Sequence, residues 1–471
     1  MNHLEDARKT ARTINLSDTF SFLKRINAKR SFRIVSSFPN INGIKCEIEK
    51  DARCFKFRGD QLNLDVSPVK YQDENYGFGD AFALVNDAHE RIEIKKGVGK
   101  ASLKLAQGFA SEGELWEIES NFTEDQICQR AIVPFAGFHK VPVEFIKSGS
   151  FKIGDSLRVA GFVSVNISAH SVGIYDYDFE KNRYLFIDCY SAINQAEFQN
   201  LIASITYSYA LISGCLLRDE IFILQSKTSA FEVITGYQFS RLEESRQGVS
   251  AIDPKMAKEF YKAQTTSYMP VENFQTLIQT SFDDVRFLRA IKIITESFGY
   301  PSEIRTATYS VALETLKNIV LENNQDRINP FKNKTDAKRI IKDLKSIVNS
   351  NDDSLFNNKN AVLTKLEHLN QVTNSDGFIL AFKLLGIELS TEDEECIGMR
   401  NDFLHGRIPF QNEREYDDEE LNRTVFKFHY LVTSLIFKMV GYRGFLVNNL
   451  KMIDVLRYKR HDPNVPLFKE I

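Results

Sequence analysis

The residue types able to do chemistry are densest in Ser390–Arg407, which reads Ser-Thr-Glu-Asp-Glu-Glu-Cys-Ile-Gly-Met-Arg-Asn-Asp-Phe-Leu-His-Gly-Arg. Histidine titrates near neutral pH and can take a proton from a ribose 2′-hydroxyl or give one to a leaving oxygen. Arginine offers a planar fork to two phosphate oxygens and stabilises the charge that grows on them. Arg400, Asn401 and His405 together therefore suit phosphodiester cleavage. Thr391 with Glu394 three residues on predicts a capping box, and the acids of that first turn suit the positive end of a helix dipole. Gly406 and Pro409 predict the stop near His405, leaving a helix of about four turns. Asn401 and His405, at i and i+4, share a face of it. Arg400 lies about 140° round the axis from His405, a gap that its long side chain can bridge. Phe403 and Leu404 are expected to anchor the helix in a bundle. The helix C-terminus favours a charged His405 while Arg400 and Arg407 oppose it, so the direction of its pKa stays open.

Arg400-Asn401-Asp402-Phe403-Leu404-His405 resembles the R-N-x-x-x-H signature of HEPN domains, and the trailing Gly406 is similar to the ApeA-type branch. The resemblance spans about 303–447. It implies a helical bundle in which Arg400 and His405 are catalytic, with Asn401 supporting them, in a metal-independent endoribonuclease that needs no cofactor. It also implies a homodimer whose two motifs line one cleft, and cleavage by 2′-hydroxyl attack that leaves a 2′,3′-cyclic phosphate and a 5′-hydroxyl. ApeA-type members are bacterial anti-phage proteins that abort infection by cutting host RNA, tRNA among the targets. By that likeness the partners are RNA, a second copy of the chain, and a phage-derived or other trigger acting on the N-terminal half. A rival reading keeps the bundle without the chemistry: a non-catalytic dimerisation or RNA- or protein-binding module with a regulatory role.

A surface for RNA is expected nearby. Arg327, Lys332, Lys334, Lys338, Arg339, Lys342 and Lys345 face only Asp336 and Asp343 over the same stretch. Lys338, Arg339, Lys342 and Lys345 recur at helical spacing and could grip phosphates, as could Arg407; a solvated helix face is the competing reading. The acidic runs Glu392–Glu395 and Asp417–Glu420 read as charges at helix N-termini rather than metal ligands.

Composition excludes whole classes of function. With 60 Lys+Arg against 63 Asp+Glu, the net charge of −3 rules out nucleic-acid binding by bulk charge, so any such contact is a local patch. Few Gly (23) and Pro (11) beside 37 Phe rule out collagen, mucin-like stalks and long disorder. The six cysteines are scattered, without a CxxC pair, which argues against zinc and disulfide frameworks and for a reducing compartment. Gly97-Val98-Gly99-Lys100-Ala101 lacks the Ser or Thr that a phosphate loop needs, and GxGxxG, HExxH and GxSxG are missing. Cys189, with His170 upstream, reads as a buried structural cysteine rather than a thiol nucleophile. The N-terminus has no apolar run of a signal peptide, and the uncharged stretch Leu201–Leu217 is too short to span a bilayer. A cytoplasmic protein without a membrane segment is expected.

The elements that must position these residues fall into an α+β, multidomain chain. Residues 1–30 carry seven basic residues (Arg8, Lys9, Arg12, Lys24, Arg25, Lys29, Arg30) and read as a solvated lead-in helix or basic arm. Residues 31–250 show short β-rich runs broken by Gly and Asp turns, among them Phe32–Val35, Cys54–Arg58, Val143–Ile146 and Tyr184–Cys189, with one helix over about Gln195 to Leu217. They predict an antiparallel sandwich or barrel-like sensor or regulatory domain. Residues 251–471 turn to helical periodicity and predict an all-α region, with Val311, Leu313, Leu316, Ile319 and Val320 on one apolar face.

Overall fold

A computed structural model describes residues 13–36, 42–51, 53–59, 76–78, 82–102, 110–134, 147–153, 156–179, 182–217, 220–243, 245–252, 269–328, 330–331, 333–370, 374–407, 411–412, 415–416, 418–459 and 465–471. Arg8, Lys9, Arg12, the run Val143–Ile146, Lys332 and Pro409 lie outside them. The chain divides into two units, Met1–Asp283 and Asp284–Ile471.

The first unit is β-rich, and fifteen strands join in one sheet. They are β1 (Thr13–Asn15), β2 (Arg30–Ser36), β3 (Lys45–Asp51), β4 (Cys54–Gly59), β5 (Tyr76–Phe78), β6 (Phe82–Val85), β7 (Arg91–Ser102), β8 (Ala110–Ser120), β9 (Ile127–Pro134), β10 (Lys147–Ile153), β11 (Ser156–Ile167), β12 (His170–Phe179), β13 (Asn182–Ile193), β14 (Glu220–Ser226) and β15 (Ile234–Arg241). The antiparallel pairings β8–β4–β3–β2–β6–β7 return to β8 through a direct β7–β8 ladder, so these six strands close on one another. From β8 the sheet continues as an open wing, β15–β14–β9–β13–β12–β11–β10–β1, in which only the β1–β10 pair is parallel. The barrel-like expectation thus holds for one part of the unit and an open antiparallel sheet for the rest.

Alternation drives this arrangement. Phe32 and Ile34 on β2, Cys46 and Ile48 on β3, Phe55 and Phe57 on β4, and Ile92 and Ile94 on β7 all point to one buried side, as period-2 patterning requires. The wing adds Tyr175, Phe186, Phe222 and Phe239, with Phe55 and Phe239 meeting edge to face at 5.0 Å. Helix α1 (Ser17–Asn27) buries Phe20, Leu23 and Ile26 in the same cluster. Its basic residues Lys24 and Arg25 occupy the opposite, wetter side, so the expected lead-in helix forms but is an amphipathic core helix rather than a solvated one or a basic arm. Helix α2 (Gln195–Ser213) stops four residues short of the expected Leu217 because Gly214 turns left-handed (φ +70°). A Cβ there would meet the Ser250 backbone N at 2.6 Å, so only glycine fits. Helix α3 (Val271–Asp283) follows the sheet rather than the helical half. Gln275 and Gln279 accept from the backbone N–H of Asn166 (2.9 Å) and Ser168 (2.6 Å) at the β11–β12 hairpin.

One ion pair is sealed inside this unit. Arg130 on β9 is 1% exposed and stands opposite Asp188 on β13. Its Nε and Nη2 donate to the two carboxylate oxygens at 2.6 and 2.7 Å, and its Nη1 donates to Thr19 Oγ1 on α1 at 2.6 Å. Tyr175 donates to the same carboxylate at 2.9 Å, and the guanidinium lies 4.2 Å from the Phe231 ring centroid. Burial, the largest single influence, would lower the Arg130 pKa; the Asp188 charge and its hydrogen bonds, together with Tyr175 and Tyr190, more than offset it and raise the pKa.

The second unit is helical: α4 (Val285–Glu296), α5 (Ser302–Glu322), α6 (Gln325–Ile328), α7 (Lys334–Ser350), α8 (Lys359–Glu367), α9 (Asn374–Leu384), α10 (Thr391–Leu404), α11 (Asp418–Met439) and α12 (Asn449–Leu456). Helix α5 is its hub, packing on α4, α9, α10 and α11. It buries Tyr309, Leu313, Leu316 and Ile319, while Val311 turns outward at 36% exposure. Among the described residues no helix is long and apolar enough to cross a membrane.

Because a buried charge left without its partner costs about 3–5 kcal/mol, Asp188→Asn is expected to destabilise the β-rich unit by that amount. The urea midpoint of the full chain, read by tyrosine and tryptophan fluorescence, measures it.

Candidate active site at the end of helix α10

Helix α10 forms where expected, with its N-terminal cap one residue earlier. Ser390, in extended backbone (φ −79°, ψ 163°), is the N-cap, and the capping box pairs it with Asp393 rather than Thr391 with Glu394. The Asp393 N–H donates to Ser390 Oγ at 3.2 Å, and Asp393 Oδ2 accepts from the Ser390 N–H at 2.9 Å and its hydroxyl at 2.7 Å. Glu392, outside the box, pairs with Lys427 on α11 at 2.8 Å. The C-terminus is a Schellman motif. The Gly406 N–H donates to the Phe403 carbonyl (3.1 Å) and the Arg407 N–H to the Asp402 carbonyl (2.8 Å), with Gly406 at φ +71°. His405 is the C-cap residue, fixed by the glycine that follows it.

The helix buries Cys396, Ile397, Arg400 and Phe403 and exposes Asn401 and His405. Phe403 packs edge to face on Phe428 of α11 with centroids 6.2 Å apart, so it is the anchor; Leu404 faces solvent at 37% exposure. Asn401 and His405 share the wet face, and the His405 ring makes no hydrogen bond among the described residues. His429 on α11 is a contrasting histidine. It is fully buried near Arg305, and burial first, with the Arg305 charge second, drags its pKa down to about 3. It is neutral and closed off, whereas His405 is open to an incoming group.

Arg400 lies on the buried side. Its guanidinium carbon stands 3.8 Å from the centroid of Phe378 on α9, and its Nη1 donates to the Ile397 carbonyl at 3.3 Å. Among the described residues it forms no salt bridge. Burial lowers its pKa and the more distant Glu314 on α5 opposes that shift. Lys317, also on α5 and 4% exposed, brings its ammonium within 4.5 Å of the same ring centroid. Burial lowers its pKa too, Glu314 opposing and Arg400 adding to the shift. Two cations thus share one aromatic face region, an attraction worth about 2 kcal/mol each when desolvated. Gly377 lies in the contact between α9 and α5: a Cβ there would press on Leu321 Cδ1 at 3.1 Å and stand in ordinary contact with Lys317 Cδ at 3.6 Å. Phe378, Lys317 and Glu314 carry no local sequence signal of their meeting with Arg400, which joins three helices.

The other basic residues separate into kinds. Arg407 is solvent-exposed, 3.7 Å from the partly exposed Asp402, a pair of little energetic weight. On α7, Lys345 pairs with Glu367 of α8 at 2.5 Å and Arg339 with Asp336 at 3.4 Å. Lys338 and Lys342 form no ion pair among the described residues. Lys338 lines a groove of about 470 Å³ between α5 and α7 and, with Lys342 and Lys345, a neighbouring one of about 610 Å³. At the opposite end of α10, a groove of about 760 Å³ is lined by Asp393, Arg423, Lys427, Tyr430, Lys451 and Lys469 among others, and its Lys427 and Arg423 are tied to carboxylates there. Comparison of the chain with family models, with curated proteins and with solved structures finds no match.

Gly398 within α10 and Gly406 just beyond it predict opposite responses to one change. Gly406→Ala is expected to destabilise by about 1 kcal/mol, since its left-handed backbone penalises any Cβ although the space is open. Gly398→Ala, mid-helix and equally open, is expected to stabilise by about 0.5–1 kcal/mol. Paired urea titrations measure both signs.

Proposed function

We propose that this chain is a HEPN-type endoribonuclease of the ApeA kind, acting in bacterial anti-phage defence by cutting RNA, tRNA included, through 2′-hydroxyl attack. His405 takes the proton from the 2′-oxygen or supplies one to the departing 5′-oxygen, and Arg400 stabilises the phosphate charge that develops between them. Asn401, on the same wet face as His405, orients the phosphate. Two protomers pair through the helical unit so that both motifs serve one cleft, and Lys338, Lys342 and Arg407 hold the flanking strand. The β-rich unit receives the trigger. No metal or cofactor enters this scheme.

The observation that carries this reading is the state of Arg400. Its charge is held by a ring and one carbonyl, with no salt bridge among the described residues and only the more distant Glu314 acting on it, one turn before an exposed histidine. A guanidinium kept in that condition attracts an anion strongly because its surroundings are poor in water. The rival, a non-catalytic dimerisation or binding bundle, has in its favour that Arg400 is only 5% exposed; on that reading Arg400 is a packing residue of the α5–α9–α10 junction.

A map of RNA 5′-hydroxyl ends in bacteria expressing the wild type or His405→Ala, with and without phage infection, separates the two. General acid–base groups contribute about 10²–10⁴-fold, so ends present with the wild type are expected to fall by at least about a hundredfold in the variant. Superimposable maps in both conditions favour the binding bundle.

A further inference from the structure

The β-rich unit holds a second group of chemically competent side chains, independent of the α10 site. His170 opens β12, Ser191 lies near the end of β13, and Glu197 lies in the first turn of α2. His170 Nδ1 is 3.0 Å from Ser191 Oγ, and its Nε2 is 3.0 Å from Glu197 Oε1. The carboxylate can only accept, so Nε2 carries the ring proton and Nδ1 is left as the acceptor of the serine hydroxyl. That tautomer makes His170 a base toward Ser191, held by a carboxylate on its far side.

Each member is fixed by its own element. Between Cys189 and Ile193 the β13–β9 register breaks, because Gln129 and Ile127 are two residues apart on β9 where β13 spends four. Such a bulge re-aims the side chains within it, and Ser191 is one of them. Glu197 is locked by the α2 cap: Asn194 Oδ1 accepts its N–H at 2.9 Å, and Asn194 Nδ2 donates to its Oε2 at 3.3 Å, leaving Oε1 for His170. The hairpin that leads into His170 is clasped by α3 through Gln279 and Ser168. Ser191 is half-buried and the Glu197 side chain 34% exposed, so the group has an open side, while His170 is 8% exposed. The first N–H groups of α2, at Gln195 and Ala196, lack intrahelical acceptors and stand at the positive end of the helix, where a developing oxyanion is favoured. Cys189 Sγ is 3.6 Å from Ser191 Oγ, but it is fully buried, and burial raises its pKa and keeps it a thiol. The thiol that the sequence brings to notice is thus a neighbour of Ser191.

We propose that Ser191, His170 and Glu197 form a serine nucleophile–base–carboxylate relay for acyl transfer, giving the β-rich unit a hydrolytic activity on carboxylic esters. In the first step Ser191 Oγ bonds to the ester carbonyl carbon and its proton passes to His170 Nδ1. The carbon–alkoxy bond then breaks, and the alkoxide leaves with that proton as an alcohol. Water repeats the sequence on the acyl-serine, its proton again taken by His170 and returned to Ser191, releasing the carboxylic acid. No electron changes hands.

A biotinylated alkyl fluorophosphonate tests this on the full-length chain. Attack by Ser191 forms an O–P bond and breaks P–F, with fluoride leaving and the hydroxyl proton taken by His170. The expected result is a single phosphonyl adduct on the Ser191 peptide by mass spectrometry, lost on heat denaturation and in Ser191→Ala. His170→Gln is expected to slow labelling at least tenfold with an unchanged circular dichroism spectrum. No adduct on Ser191 of the native wild type at reagent levels that label a control serine hydrolase would overturn the proposal. So would equal labelling rates in the wild type and a folded His170→Gln.

Discussion

A guanidinium leaves water only when something replaces its hydration, and this chain meets that demand in two ways. Arg130 is given a carboxylate, a hydroxyl and a ring, and its charge is cancelled where it sits. Arg400 is given a ring and one carbonyl, and among the described residues it has no salt bridge, only the more distant pull of Glu314. The helical unit is organised around that second solution. Helix α5 brings Lys317, α9 brings Phe378 across the narrow crossing at Gly377, and α10 brings Arg400, so three helices converge on one ring. Apolar packing of Phe403 on Phe428 and of Leu313 and Leu316 in the hub fixes the convergence.

The same junction explains why His405 and Arg400 differ in environment though only five residues apart. A helix that buries Cys396, Ile397, Arg400 and Phe403 must turn Asn401 and His405 outward. The Schellman turn at Gly406 then ends the helix on His405, leaving the imidazole at a wet edge. In the β-rich unit, positions are set instead by interruptions of regular structure. The β13 bulge aims Ser191, the α2 cap aims Glu197, and the end of the β11–β12 hairpin aims His170.

Much of this was legible in the sequence and some was not, for physical reasons. The end of α10 could be read because Gly406 is a local signal, and the helical face followed from period alone. Its cap was off by one, since Ser390, Thr391, Asp393 and Glu394 offer two overlapping boxes whose choice depends on backbone angles at Ser390. Leu404 was expected to anchor and does not, because the buried stripe runs through Phe403. Phe378 and Lys317 were invisible: their meeting with Arg400 joins α5, α9 and α10, and no local pattern encodes such contacts. Closure of β7 onto β8 was likewise beyond a reading of strands one at a time. Helix α1 was legible as a helix, but its conspicuous charges suggested a solvated lead-in, while Phe20, Leu23 and Ile26 decide its place in the core.

The central claim is that the Arg400–His405 end of α10 cleaves RNA by using the ribose 2′-hydroxyl. The most direct measurement takes the purified full-length chain, end-labelled tRNA and EDTA, and analyses the 3′ ends of the fragments by mass spectrometry. The account predicts fragments ending in 2′,3′-cyclic phosphate with the wild type, and none when a single 2′-deoxynucleotide replaces the ribose at the cut. Cleavage that persists at the deoxy position, or that proceeds at the wild-type rate in His405→Ala, would contradict it.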